Sequence, residues 1–202
     1  MSLRRKLEPE ARRAAILRAA RCVFARQGYA QTVVEDIAAQ AGIGKGTLYL
    51  YFESKEQIYL AALLEDSRRL NDLTRERMAA VETWHEKLQA YIDLRFEYLE
   101  TQCDFLRIYL TEIRSMMVRG VRMDCAFFDA IRESERALAQ VFAAAVARKE
   151  IRPLDPEIAA CLVCDTVRGV MERRLMGWGR SADRDLLLDL LCRSFAACAS
   201  VA

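Results

Sequence analysis

Lys45-Gly46-Thr47-Leu48-Tyr49-Leu50-Tyr51-Phe52 is the run of residues in this chain whose types and order suit a defined chemistry. On a helix, at ~100° per residue, Leu48 and Phe52 share one face and ask to be buried. Gly46, Thr47 and Leu50 then point away, with Tyr49 and Tyr51 on the flanks. An apolar anchor under small or hydrogen-bonding outer groups is what a helix entering a DNA major groove needs. Gly46 permits close approach, Thr47 can bond a base or a phosphate, and Leu50 suits a thymine methyl. Tyr49, Tyr51 and Lys55 are placed to reach phosphates. The backbone N–H groups at the start of the preceding helix, at Thr32 and Val33, offer a further anion contact.

Other spacings that could carry chemistry are weaker. Cys161 and Cys164 stand in a CxxC arrangement, but no second pair follows at zinc spacing, and the single histidine, His85, lies far off in sequence. Small apolar residues three apart on a helix are usually core. A thiol-based sensor at this pair is a minor alternative. No hydrolase motif and no Gly-rich phosphate loop after a strand is present. No catalytic residue, metal site or cofactor is expected, and an enzyme is not expected.

The elements that position these residues read as helices throughout. Pro9 opens a first helix with the stripe Ile16, Ala20, Val23, Phe24, and Gly28 ends it with Tyr29 packing back. Thr32-Val33-Val34-Glu35 has a capping-box pattern and starts a second helix buried through Val34, Ile37, Ala38 and Ala41. Gly42 stops it, and Ile43-Gly44 make the turn into the short third helix, about 45–52. Ser54-Lys55-Glu56-Gln57 is a second capping box, opening a long fourth helix to about Ala80. Further helices are expected over roughly 86–101, 104–116, 123–150, 155–176 and 182–199, the 155 start being capped by Asp155 with Pro156 behind it.

Composition agrees. The chain has 202 residues, 53% hydrophobic and 30% charged, with only 8 Gly and 3 Pro, which favours helices over a many-turned β fold. Residues 1–55 hold ten basic side chains against five acidic. The remainder holds 21 against 24, so a basic head precedes a slightly acidic body. That asymmetry points mildly to a polyanionic partner. The longest apolar stretch, Val141–Ala147, is far too short for a span, and no secretory h-region is visible, so a cytoplasmic protein without membrane contact is expected. Seven cysteines, an odd number, read as reduced and mostly buried.

The segment from Gly28-Tyr29 through Thr32-Val33-Val34-Glu35-Asp36-Ile37-Ala38 and Ala41-Gly42-Ile43-Gly44-Lys45-Gly46-Thr47-Leu48-Tyr49-Leu50-Tyr51-Phe52-Glu53-Ser54-Lys55-Glu56 closely resembles the DNA-binding domain of the TetR family, over about residues 12–58. The resemblance implies an all-α fold of about nine helices: a three-helix helix-turn-helix domain over 1–55 and a ligand-sensing, dimerising bundle over 56–202. It puts Lys45, Gly46, Thr47, Tyr49 and Leu50 at groove-facing positions, and Tyr51 and Lys55 at backbone contacts. Position 44, often Ser in the family, is Gly44, which caps nearly as well but lacks a hydroxyl. Position 50, often polar or aromatic, is Leu50.

The same resemblance implies a repressor that binds palindromic operator DNA as a homodimer and is released by a small-molecule effector. Expected ligand-pocket residues are Tyr98, Tyr109, Glu112 and Arg168. Expected dimer-seam residues on the last two helices are Val167, Val170, Met171, Leu187, Leu191 and Phe195. A helical carrier or protein-interaction module without DNA binding is the rival, and the basic head with its Gly46-Thr47-Leu50 face argues against it.

Overall fold

The computed structural model describes residues 8–101, 125–180 and 182–196, which form eight helices. These are α1 (Pro9–Gln31), α2 (Val34–Gln40), α3 (Lys45–Tyr49), α4 (Lys55–Ala79), α5 (Trp84–Thr101), α6 (Cys125–Ala147), α7 (Pro156–Leu175) and α8 (Asp183–Phe195). The helix expected over 104–116 lies outside the described residues. The described chain divides into two compact units, with the boundary inside α4 after Asp66.

In the first unit, α1 buries Ile16, Ala20, Val23 and Phe24, the stripe its sequence displays, and Leu17 as well. Its helical path breaks at Gly28, whose φ of 76° only glycine adopts readily. The break turns Tyr29 back, so that its ring lies 5.9 Å from Phe24 and 4.8 Å from Tyr59 on α4. Phe24 and Tyr59 meet edge to face at 5.1 Å. α2 ends in a paired-carbonyl C-cap: Gly42, at φ 66°, donates to Ala39 O, and Ile43 donates to Ala38 O. That cap fixes the angle at which α3 leaves.

Two helix starts differ in detail from the sequence reading. Thr32 does not cap α2. Val33 holds the cap position without a side-chain bond, and the Thr32 hydroxyl instead donates to Gly28 O at 2.7 Å. The break at Gly28 frees a carbonyl of α1, and the nearest hydroxyl serves it. Ser54 does cap α4: Gln57 N donates to its Oγ, while Gln57 Oε1 accepts from Glu53 N. α5 has a full capping box that sequence reading passed over. Thr83 N donates to Glu86 Oε2, and Glu86 N donates to Thr83 Oγ1. Asp155 caps α7 as expected, accepting from Glu157 N and Ile158 N.

In the second unit, α5 packs against α6, α7 and α8, and α6 lies along α7. Leu88, Ile92, Leu138, Phe142, Val163, Val167 and Phe195 are core residues, with the Phe142 and Phe195 rings 4.9 Å apart. Arg184 on α8 grips Asp93 on α5 through Nε and Nη2. Ile151 pairs with Ala196 across the α6–α7 connection, where Arg152 N donates to Phe195 O. Among the described residues, no helix is long and apolar enough to cross a membrane.

Candidate functional site

α3 is five residues long and is held from beneath by Leu48, fully buried, and Phe52, 2% exposed. Its outer face is open. Lys45 and Gly46 are exposed, Thr47 is half-buried, Tyr49 is 44% exposed and Leu50 is 83% exposed. Gly44 takes the cap position in extended conformation and accepts backbone bonds from Thr47 N and Leu48 N. Among the described residues Leu50 is the most exposed large apolar side chain, and it is open to an apolar partner.

Lys45 Nζ lies 2.5 Å from Glu35 Oε1 on α2, with both side chains about half exposed. It also stands 5.8 Å from the Tyr49 ring centroid. The hydrogen bond from Lys45 holds the Glu35 carboxyl below its ordinary range, and the same bond raises the Lys45 ammonium. A solvent-exposed pair of this kind contributes little to stability. Its effect is to hold the lysine beside the outer face of α3.

Lys55, expected at a DNA-backbone contact, is engaged within the chain. Its Nζ donates to Tyr29 O at 2.8 Å and to Thr32 O at 2.9 Å, and lies 4.4 Å from the Tyr29 ring centroid. It neutralises the carbonyls released where α1 breaks and fastens them to the start of α4. Thr32 is likewise withdrawn, 1% exposed with its hydroxyl on Gly28, whereas Val33 is 50% exposed at the front of α2. Tyr51 is half-buried.

Of the residues expected to line a ligand pocket, two are described. Tyr98 is buried on α5, Arg168 is half-buried on α7 with Nη1 3.2 Å from Asp165, and Tyr109 and Glu112 lie outside the described residues. A cleft of about 880 Å³ runs beside α6 and the first turns of α7, lined among others by Arg132, Arg136, Glu157 and Cys161. None of the expected residues lines it. Sequence reading missed a buried polar cluster in the second unit, made by Asn71 and Thr74 of α4, Tyr91 and Arg95 of α5, Ser134 of α6 and Cys164 of α7. The signal was present: Arg95 shares the buried face of α5 with Tyr91, four residues before it.

The CxxC pair splits across the helix surface. Cys161 is exposed and Cys164 is buried, accepting from Tyr91 Oη at 3.2 Å. Desolvation and the Asp165 carboxylate raise the Cys161 thiol, and burial pushes Cys164 up to about 11. Both stay protonated near neutrality, which is poor preparation for thiol redox chemistry. Because the folded Cys164 resists ionisation while the unfolded thiol, near 9, does not, stability is full below pH 9 and falls as pH rises toward 11. The loss is expected to reach about 2–3 kcal/mol from this group. Urea titrations at pH 8 and 10.5 should show it, and Cys164→Ser should flatten the difference. Among the described residues, no group of His, Cys, Asp and Glu could hold a metal ion.

The residues expected in a dimer seam differ in their exposure within one chain. Val167, Met171, Leu187 and Phe195 are at most 6% exposed within one chain, and Val170 and Leu191 are half-buried. The open apolar side chains of the same helices are others: Ile158 and Leu162 at 60%, and Leu186 and Leu190 at 57%. α7 and α8 carry apolar residues on two faces, and periodicity alone does not say which face the chain's own core takes.

A short, well-anchored helix behind a capped glycine turn, on a basic three-helix head, joined by one long helix to a helical body, defines a helix-turn-helix regulator. The family model for bacterial regulatory proteins of the tetR family matches residues 16–62. The HTH-type transcriptional regulator BetI of Rhizobium meliloti is 30% identical over 155 residues, 67% of this chain and 76% of that protein. The chain belongs to the TetR family of transcriptional regulators. The fatty acid metabolism regulator protein of Bacillus subtilis is 34% identical over 99 residues, 49% of this chain and 51% of that protein. The chain spans about half the length of several of the curated relatives it matches. In fold, it is similar to the transcriptional regulator FadR of Bacillus subtilis in complex with stearoyl-CoA. That likeness has a TM-score of 0.76 at 24% identity and covers 88% of this chain and 96% of that one.

Proposed function

We propose that this chain represses transcription by binding a palindromic operator as a homodimer through α3, and that a small molecule bound in its second unit releases it. The observation that carries the DNA half is the exposed Lys45, Gly46, Tyr49 and Leu50 face over the buried Leu48 and Phe52. Thr47 and Tyr51 flank that face, Gly44 caps its helix, and Val33 fronts α2 beside it. Leu50 reads a thymine methyl rather than a polar base edge. Dimerisation uses the open stripe of α7 and α8, Ile158, Leu162, Leu186 and Leu190, in an isologous seam. A two-fold dimer presents two recognition helices, hence the palindrome.

The effector acts by binding one dimer geometry better than the other. The FadR structure of similar fold is a complex with stearoyl-CoA, which makes acyl chains the first chemistry to screen. Selection of bound DNA from a random pool tests the reading. The expected result is a two-fold symmetric site whose binding falls steeply with salt as counterions are released. Tyr49→Ala and Leu50→Ala should each weaken the selected site by about tenfold, without unfolding, and Leu50→Ala should relax preference at a T position. Absence of DNA binding even at low salt would sink the proposal.

A further inference from the structure

Among the described Asp, Glu, Lys and Arg side chains of the second unit, Arg95 alone is buried, at 6% exposure. Its Nη1 donates to Thr74 Oγ1 at 2.7 Å, its Nη2 donates to Ser134 Oγ at 2.8 Å, and its guanidinium carbon stands 4.1 Å from the Tyr91 ring centroid. All three partners are neutral. Among the described residues no ion pair joins Arg95 to a carboxylate. Glu133, on α6 beside Ser134, is paired with Arg75 at 3.3 Å and accepts from Asn71 Nδ2, and Glu97 is paired with Arg77. Burying a cation without a counter-ion is costly.

The surrounding network does not need the arginine. The Thr74 hydroxyl donates to Leu70 O at 2.7 Å, and the Ser134 hydroxyl donates to Asn71 Oδ1 at 2.6 Å. Asn71 Nδ2 donates to Ala130 O at 2.6 Å. Each hydroxyl and the amide keep a bond if Arg95 is removed, so its absence orphans no donor among them. A buried guanidinium with spare donors and no counter-ion is able to take an anion that arrives from outside.

We propose that Arg95 is the anion anchor of the effector site, and that the effector carries a single carboxylate on an apolar body. This rests on the reading of a ligand-released regulator and names its ligand class. Two hydroxyls use two of the five guanidinium donors, which leaves donors for a carboxylate. One buried positive charge balances one negative charge, whereas a phosphate dianion would call for a second cation. The other arginines on this part of α4 lie at its surface: Arg68, Arg69 and Arg75 are exposed and Arg77 is half-buried, with Arg75 and Arg77 already paired with carboxylates. The apolar body is assigned because the helices that carry the cluster surround it with apolar side chains, Leu70, Leu88, Ile92, Leu94 and Leu138 among them.

The test uses the full chain with decanoate and its neutral isostere decanamide as probes, read by calorimetric titration and thermal unfolding. Wild-type protein should bind decanoate at least about tenfold more tightly than decanamide, the scale of one charge-assisted hydrogen bond. In Arg95→Met the two affinities should converge, while Arg95→Lys should keep part of the preference. Without ligand, Arg95→Met should melt at or above the wild-type temperature, since it removes a buried unpaired charge. A drop of several degrees would show that Arg95 is structural and overturn the proposal. Equal wild-type affinity for both probes would also overturn it, while leaving a ligand-released regulator standing. Binding of neither probe overturns the carboxylate assignment. The broader reading is judged separately, by whether any of a panel of small molecules releases operator DNA.

Discussion

Lys55→Met is expected to destabilise the first unit by about 3 kcal/mol while leaving the salt dependence of its DNA binding unchanged. Two bonds from one ammonium, to Tyr29 O and Thr32 O, close the break in α1. A hydrogen bond to a charged group contributes about 1.5–3 kcal/mol, and its loss leaves partly buried carbonyls unserved. The methionine keeps the stem over the Tyr29 ring, so the loss isolates the ammonium. Hydrogen exchange across α1 to α4 should accelerate in step with a lower unfolding midpoint. Lys45→Met is the contrasting variant. Its lysine is exposed and, among the described residues, bonded only to an exposed glutamate, so stability should hardly change, but the slope of log affinity against log salt should shrink by about one. If Lys55→Met reduced that slope and spared stability, Lys55 would be a phosphate contact, as family resemblance implies.

If the chain dimerises as proposed, a single charge placed on the open stripe, Leu190→Asp or Leu162→Asp, should convert that dimer to folded monomers. Two-fold symmetry places each substitution in the seam twice, so two carboxylates would be buried without partners. Each half-site would then be bound alone, and operator affinity should fall by about 100-fold or more as the effective concentration of the second head is lost. Leu162 and Leu190 are 60% and 57% exposed in the single chain, so the helical fold should survive. Val167→Asp should behave differently. Val167 is 1% exposed in the chain's own core, and its replacement should unfold the second unit. Light scattering with circular dichroism separates the outcomes, and a Leu190→Asp protein that remains dimeric would place the interface elsewhere.

Local signals in the sequence were read well where one segment contains its own reason. The Gly42 turn, the Ser54 and Asp155 caps and the buried Leu48–Phe52 pair all follow from residues within a few positions of one another. Thr32 shows where this fails. Its capping-box pattern was genuine, but the break at Gly28 left a carbonyl closer at hand. The outer face of α3 was legible because a short helix with one apolar anchor has one possible outside.

The sequence by itself determined the helical composition, the family and the groups that α3 turns outward, because these depend on period, on glycine positions and on an ordered local motif. Tertiary structure alone decided which apolar face of α7 and α8 is the chain's own core, that Lys55 meets Tyr29 O and Thr32 O, and that Arg95 meets Thr74, Ser134 and Tyr91. Those outcomes join residues tens of positions apart. A helix with two apolar faces, or a cation with several carbonyls and hydroxyls within reach of its stem, has no local preference among them. The choice is made by the packing of other helices and by the cost of leaving a buried polar group without a partner.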